Sequence, residues 1–111
     1  MKYDFEIRCK IFATNIRKYI KKLRLSIIVN DDCRQLIRSS GSIGANYIEG
    51  NQNLGTKDCK MHLKIAKKEA HESSYWLSIL NEVLEDEALI KLHQEAKELE
   101  YILISMLTKL D

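Results

Sequence analysis

Cys59, Leu63, Ala66, Ala70, Ser73, Leu77, Leu80 and Leu84 recur at alternating steps of four and three residues, the spacing that lines one face of a long helix. A seam of nearly four heptads must be covered by other helices. The rest of the chain can supply them, because its 111 residues contain no proline and few glycines. An all-α fold follows from that bias alone.

Three further helices are predicted around the seam. The first runs from about Asp4, its N-cap, to Leu23, with Phe5, Cys9, Phe12, Ile16, Tyr19 or Ile20, and Leu23 on its apolar stripe. Asn30-Asp31-Asp32 offers a cap and first-turn acids for the second, and Gly50 a left-handed end. Asn51 to Gly55 turns the chain and Thr56 caps the third helix. Glu85-Asp86-Glu87 breaks and recaps it into a fourth reaching about Leu110. Short turns between four helices predict an antiparallel up-down-up-down four-helix bundle, one domain over residues 1–111.

The second helix contains Ser39-Ser40-Gly41-Ser42-Ile43-Gly44, a run that elsewhere would suggest a loop. Its flanks keep the helical period, and neither a P-loop pattern nor a preceding strand supports a phosphate cradle. Two helical glycines cost about 1 kcal/mol each against alanine, so close packing must offset them. Folding the second helix back on the third sets Gly44 near Leu63, Ser40 near Ala66 and Ile37 near Ala70. The expected contact is thus Ser40, Gly41 and Gly44 against Ala66, Ala70 and Ser73. In the same register Arg38 comes level with Glu69 and Glu72, an ion pairing that would fix helix or subunit packing.

The third helix carries a second stripe, His62, Ile65, Glu69, Glu72, Trp76, Ile79 and Val83. Two seams on one helix predict either self-association through Ile65, Trp76, Ile79 and Val83, or a skewed bundle in which this flank is ordinary core.

Charge is uneven although the net is only +2. Residues 1–24 carry eight Lys/Arg against two acids, residues 56–71 five against two, and residues 72–111 three against nine. Lys57, Lys60, Lys64, Lys67 and Lys68 form one basic ridge with His71, and Arg17, Lys18, Lys21, Lys22 and Arg24 a second cluster. Such groups can meet nucleic-acid phosphates or simply solvate a helix. Metal chemistry has weaker support. Glu49, His62, Glu69 and Glu72 lack the paired Glu-x-x-His units of di-iron bundles, and Cys59-x-x-His62 supplies one ligand pair. No enzyme activity, cofactor, metal or small-molecule substrate is expected. The N-terminus has no apolar run suited to a signal or membrane span, and the three cysteines read as reduced core residues. A cytoplasmic protein without membrane partners is the expectation.

The run Gln35 to Gly50, with Ser42-Ile43-Gly44-Ala45-Asn46 and Glu49-Gly50, and the run Ile65 to Leu77 strongly resemble the bacterial four-helix-bundle family encoded in intervening sequences of large-subunit ribosomal RNA genes. Many relatives carry proline at the Gly44 position and glycine-serine at Lys68-Glu69. The resemblance implies antiparallel bundles assembled as homopentameric rings, similar to the basic accessory protein of diversity-generating retroelements. It thereby implies RNA or DNA as a partner. A structural or protein-interaction module without nucleic-acid activity is the alternative.

Overall fold

The computed structural model describes residues 2–52 and 54–110; Asn53 of the expected turn and the ends of the 1–111 domain lie outside them. It contains α1 (Lys2–Lys21), α2 (Ile27–Gly50), α3 (Thr56–Leu84) and α4 (Glu87–Leu110). Each helix packs antiparallel on its chain neighbour, and α1 closes the bundle against α4. The result is a rod with extents of 44 × 19 × 19 Å.

One core runs its length. Phe5, Cys9, Phe12 and Ile16 from α1 meet Cys33, Leu36 and Ile43 from α2, the Leu63-to-Leu80 seam of α3, and Leu89, Leu99 and Leu103 of α4. Burying each large aliphatic side chain contributes about 1.5–3 kcal/mol. Burial pushes the Cys9 thiol up to about 12 and also raises that of Cys33. Neither is a thiolate at neutral pH.

Helix ends depart from the sequence reading in four places. α1 is already helical at Lys2, so Asp4 lies in its first turn rather than at its cap, and the N-cap of α3 is Gly55 rather than Thr56. α2 begins at Ile27 behind an extended Ser26, with Asn30 N–H donating to the Ser26 carbonyl at 2.8 Å, so Asn30-Asp31-Asp32 lies inside the helix. The reason is Val29, which continues the Cys33–Leu36 stripe backwards and is 4 % exposed. Gly50 is helical rather than left-handed, and Asn51 at φ −90° is the C-cap. Its lack of a side chain serves a close approach instead: a Cβ there would lie 3.3 Å from the Cβ of His62. The left-handed positions are Gly55 at φ 110° and Glu85 at φ 50°. After Glu85, Asp86 recaps α4 through a 3.0 Å bond from the Ala88 N–H, and its other oxygen accepts the Tyr19 hydroxyl at 3.0 Å.

The small residues of α2 serve a different neighbour from the one expected. A Cβ on Gly44 would lie 3.0 Å from the Cβ of Cys9, and one on Gly41 would lie 3.0 Å from the Arg17 guanidinium. Both glycines, and Ser40 with them, therefore face α1. Arg17 closes this crossing by donating to the carbonyls of Ala13 and Ile37 at 2.8 and 3.0 Å and to the Ser40 hydroxyl at 3.3 Å. The α2–α3 contact is made by Ser39, whose hydroxyl lies 2.8 Å from that of Ser73 with both residues fully buried. Ala66 and Ala70 are fully buried on the same α3 seam. The axial level of α2 on α3 agrees with the sequence register. The rotation of α2 about its axis does not, because one residue step turns a side chain by about 100°.

Arg38 spans α2 and α3 on the outside, donating to Glu69 at 3.2 and 3.3 Å and to Glu72. Glu72 also accepts the Trp76 indole N–H at 3.2 Å. Burial pushes the Glu72 carboxyl up, but the Trp76 and Arg38 donors outweigh it and hold it below the ordinary value. A depressed carboxyl adds stability above its unfolded-state pKa and loses it as pH falls through the folded value. Arg38→Met is therefore expected to cost about 1 kcal/mol near pH 7, with the difference from wild type shrinking below about pH 4. Urea melts at the two pH values read this directly; a variant equal to wild type at both would show that the pairing does not fix packing.

Candidate nucleic-acid interface

Lys57, Lys64, Lys68 and His71 are separated by seven, four and three residues, which stacks them along one outer stripe of α3. The stripe is about 21 Å long at 1.5 Å per residue. All four are exposed, and the three lysines form no ion pair among the described residues. Lys60 and Lys67 lie beside the stripe, half-buried. At its N-terminal end Lys57, Lys60 and Lys64 line an open hollow of about 640 Å³ with Leu54, Asp58 and Met61. Three acids are near. Asp58 lies 3.7 Å from His62 Nε2, and its other oxygen is buried without a hydrogen bond among the described residues. Glu100 accepts from Lys97 at 2.9 Å and from His71 Nδ1 at 3.1 Å, and Glu72, bound to Arg38, also attracts Lys68. Facing a carboxylate, His71 Nδ1 must carry the proton.

The second basic cluster is not brought to this ridge. Phe5 stacks edge-on against Tyr47 at the end where α3 begins, whereas Tyr19 binds Asp86 at the opposite end. Lys18, Lys21, Lys22 and Arg24 therefore sit almost the full rod length from Lys57. Their end also holds the hollow lined by Glu82, Glu85, Asp86 and Glu87, whose charge offsets theirs. Arg17 belongs to neither surface, since its guanidinium bridges α1 and α2. Antiparallel packing puts basic α1 beside α4, joined by the bidentate pair of Arg8 with Glu95 at 2.7 and 2.8 Å.

Of the four α3 residues considered for self-association, Ile65, Trp76 and Ile79 are half-buried and Trp76 packs on the core; Val83 is exposed. The open apolar face lies elsewhere. Ile7 and Ile48, each 41 % exposed, line a groove of about 490 Å³ between α1 and α2 together with Ala13, Gly41, Gly44, Ala45 and the charged Glu6 and Lys10, and Ile11, 53 % exposed, lies outside it one turn from Ile7. Sequence periodicity missed it because Ile7 and Ile11 fall outside the main α1 stripe, although their four-residue spacing was a signal. Among the described residues, no group of three or more His, Cys, Asp or Glu is placed to hold a metal ion, and no helix is long and apolar enough to cross a membrane.

The fold and its surfaces define an antiparallel four-helix bundle whose chemistry-bearing side chains stand on its outer faces. The sequence matches the 23S rRNA-intervening sequence proteins over residues 6–105, and the chain belongs to that family. A crystal structure of a protein of unknown function from the S23 ribosomal protein family of Bacteroides thetaiotaomicron superposes on it with a TM-score of 0.82. The two are 28 % identical, over 93 % of this chain and 97 % of that one. No curated protein matches the sequence.

Proposed function

We propose that this protein is a non-enzymatic, self-associating bundle that binds RNA or DNA through the lysine ridge of α3. The observation that carries the reading is the aligned, exposed set Lys57, Lys64 and Lys68, with His71 at its end. Lysines outside close ion pairs displace the counterions condensed on nucleic-acid phosphates, which gives sequence-independent and salt-sensitive affinity. Structured RNA and duplex DNA should therefore shift in a mobility assay at low salt and be released as salt rises. No shift at low salt removes the proposal.

Self-association is supported by the apolar rim of the α1–α2 groove, and the likeness to basic pentamers favours five copies. A ring would repeat the lysine ridge and strengthen binding through avidity. Light scattering at increasing concentration is expected to give a mass near five times 12.9 kDa. A monomer throughout would overturn the assembly. A second reading, a scaffold that docks another protein, is favoured by the exposed tip of Leu25, Ile27 and Ile28, where Ile27 is 94 % exposed. That scaffold would leave the nucleic acids unshifted.

A further inference from the structure

Two exposed aromatic side chains lie at the C-terminal end of the lysine ridge, and duplex binding would not use them. Tyr75 continues the Lys57–Lys64–Lys68–His71 stripe one turn beyond His71 and is 57 % exposed. Tyr101 follows Glu100, the residue that grips His71 from α4, and is 60 % exposed. The His71–Glu100 contact therefore sets Tyr101 across the helix pair from His71, with Tyr75 about 6 Å further along the axis. Ile104, 40 % exposed, lies one turn of α4 beyond Tyr101 on the Lys67 side. Neither tyrosine hydroxyl has a hydrogen bond among the described residues. The Tyr75 ring packs against that of Trp76, with centroids 5.2 Å apart and planes at 65°.

We propose that the α3–α4 face binds single-stranded polynucleotide, with Lys57, Lys64 and Lys68 on phosphates and Tyr75 and Tyr101 stacking on bases. This rests on the nucleic-acid reading above and narrows it. A duplex hides the faces of its bases and presents only backbone and groove edges, so exposed aromatics at the end of a lysine row contribute little to it. A single strand offers both phosphates and unstacked base faces, and a lysine row followed by exposed aromatics matches that pair of chemistries. Most acids near the face have partners. Glu100 is largely buried and held by Lys97 and His71, Asp58 lies beside His62, and Glu69 and Glu72 bind Arg38 on the other flank, Glu72 also attracting Lys68; Glu98 stands exposed one turn before Tyr101.

The test is fluorescence anisotropy of the full chain in low salt with labelled oligo(U), oligo(dT) and a mixed-sequence duplex of equal length. Tighter binding of either single strand than of the duplex is expected, and tighter oligo(U) would assign the strand as RNA. Y75A/Y101A should weaken single-strand binding about 10- to 100-fold and leave the duplex affinity and the salt slope unchanged, while Y75F/Y101F retains wild-type affinity. Circular dichroism checks that the helices persist, and Y101A alone, which leaves the Trp76 contact intact, should show part of the loss. Equal affinity for single strand and duplex, or indifference to Y75A/Y101A, overturns this inference while leaving the ridge. Failure to bind any of the three overturns both.

Discussion

K57E/K64E/K68E should weaken nucleic-acid binding at least about 100-fold at low salt and flatten the dependence of log Kd on log salt by roughly two to three units. Each phosphate contact contributes nearly one unit of slope on a duplex and somewhat less on a single strand, so the loss of slope counts the contacts removed. The informative control is K18E/K21E/K22E, which takes the formal net charge from +2 to the same −4. If binding depended only on overall charge, the two triples would behave alike. Geometry separates them, because Lys18, Lys21 and Lys22 share their end of the rod with Glu85, Asp86 and Glu87, and the ridge lysines do not. The control is expected to stay within about threefold of wild type at moderate salt, where a charge more than about 8–10 Å away is screened. Equal losses in the two variants would move the interface off α3.

Ser39→Leu should lower stability by about 2–5 kcal/mol, because it forces volume into the α2–α3 contact and leaves the Ser73 hydroxyl buried without its partner. In a chain of this size that is a fall in Tm of roughly 10–30 °C. The glycines divide according to what each one faces. Gly44→Leu is expected to cost about 1–3 kcal/mol, since its Cβ meets the Cβ of Cys9, which is rooted on the α1 backbone and cannot swing away. Gly41→Ala meets only the tip of Arg17 and removes a helical glycine, so it should be neutral or stabilising by up to about 1 kcal/mol. Thermal melts of the three variants order them directly. A Ser39→Leu protein that melts with wild type would remove the Ser39–Ser73 contact as the reason for small residues here.

These variants mark where the sequence stops being legible. The period of the α3 seam and the four-helix count follow from hydrophobic spacing, because burial repeats every three or four residues whatever the neighbour. The level of α2 on α3 followed too, since a short turn pins antiparallel helices end to end; Arg38 faces Glu69 and Glu72 for that reason. Rotation was not legible. Ser39, Ser40 and Gly41 are consecutive small residues, and composition cannot say which of them looks at α1 and which at α3. The start of α2 was misread because Asn30-Asp31-Asp32 has good capping chemistry, and the core position of Val29 overrides it.

The candidate site divides the same way. By itself the sequence determined the lysine ridge up to His71, because residues at helical spacing on one helix share a face before any tertiary contact forms; Tyr75 shares that spacing but was not read as part of it. Only the tertiary structure decided that Tyr101 joins them, since the His71–Glu100 contact is what brings α4 alongside. It alone took Arg17 out of the basic surface, and it set Lys18, Lys21, Lys22 and Arg24 at the acidic end of the rod. The physical reason is common to all three: helical periodicity is a local property of the chain, whereas the partner a side chain meets depends on the rotation and direction of a different helix.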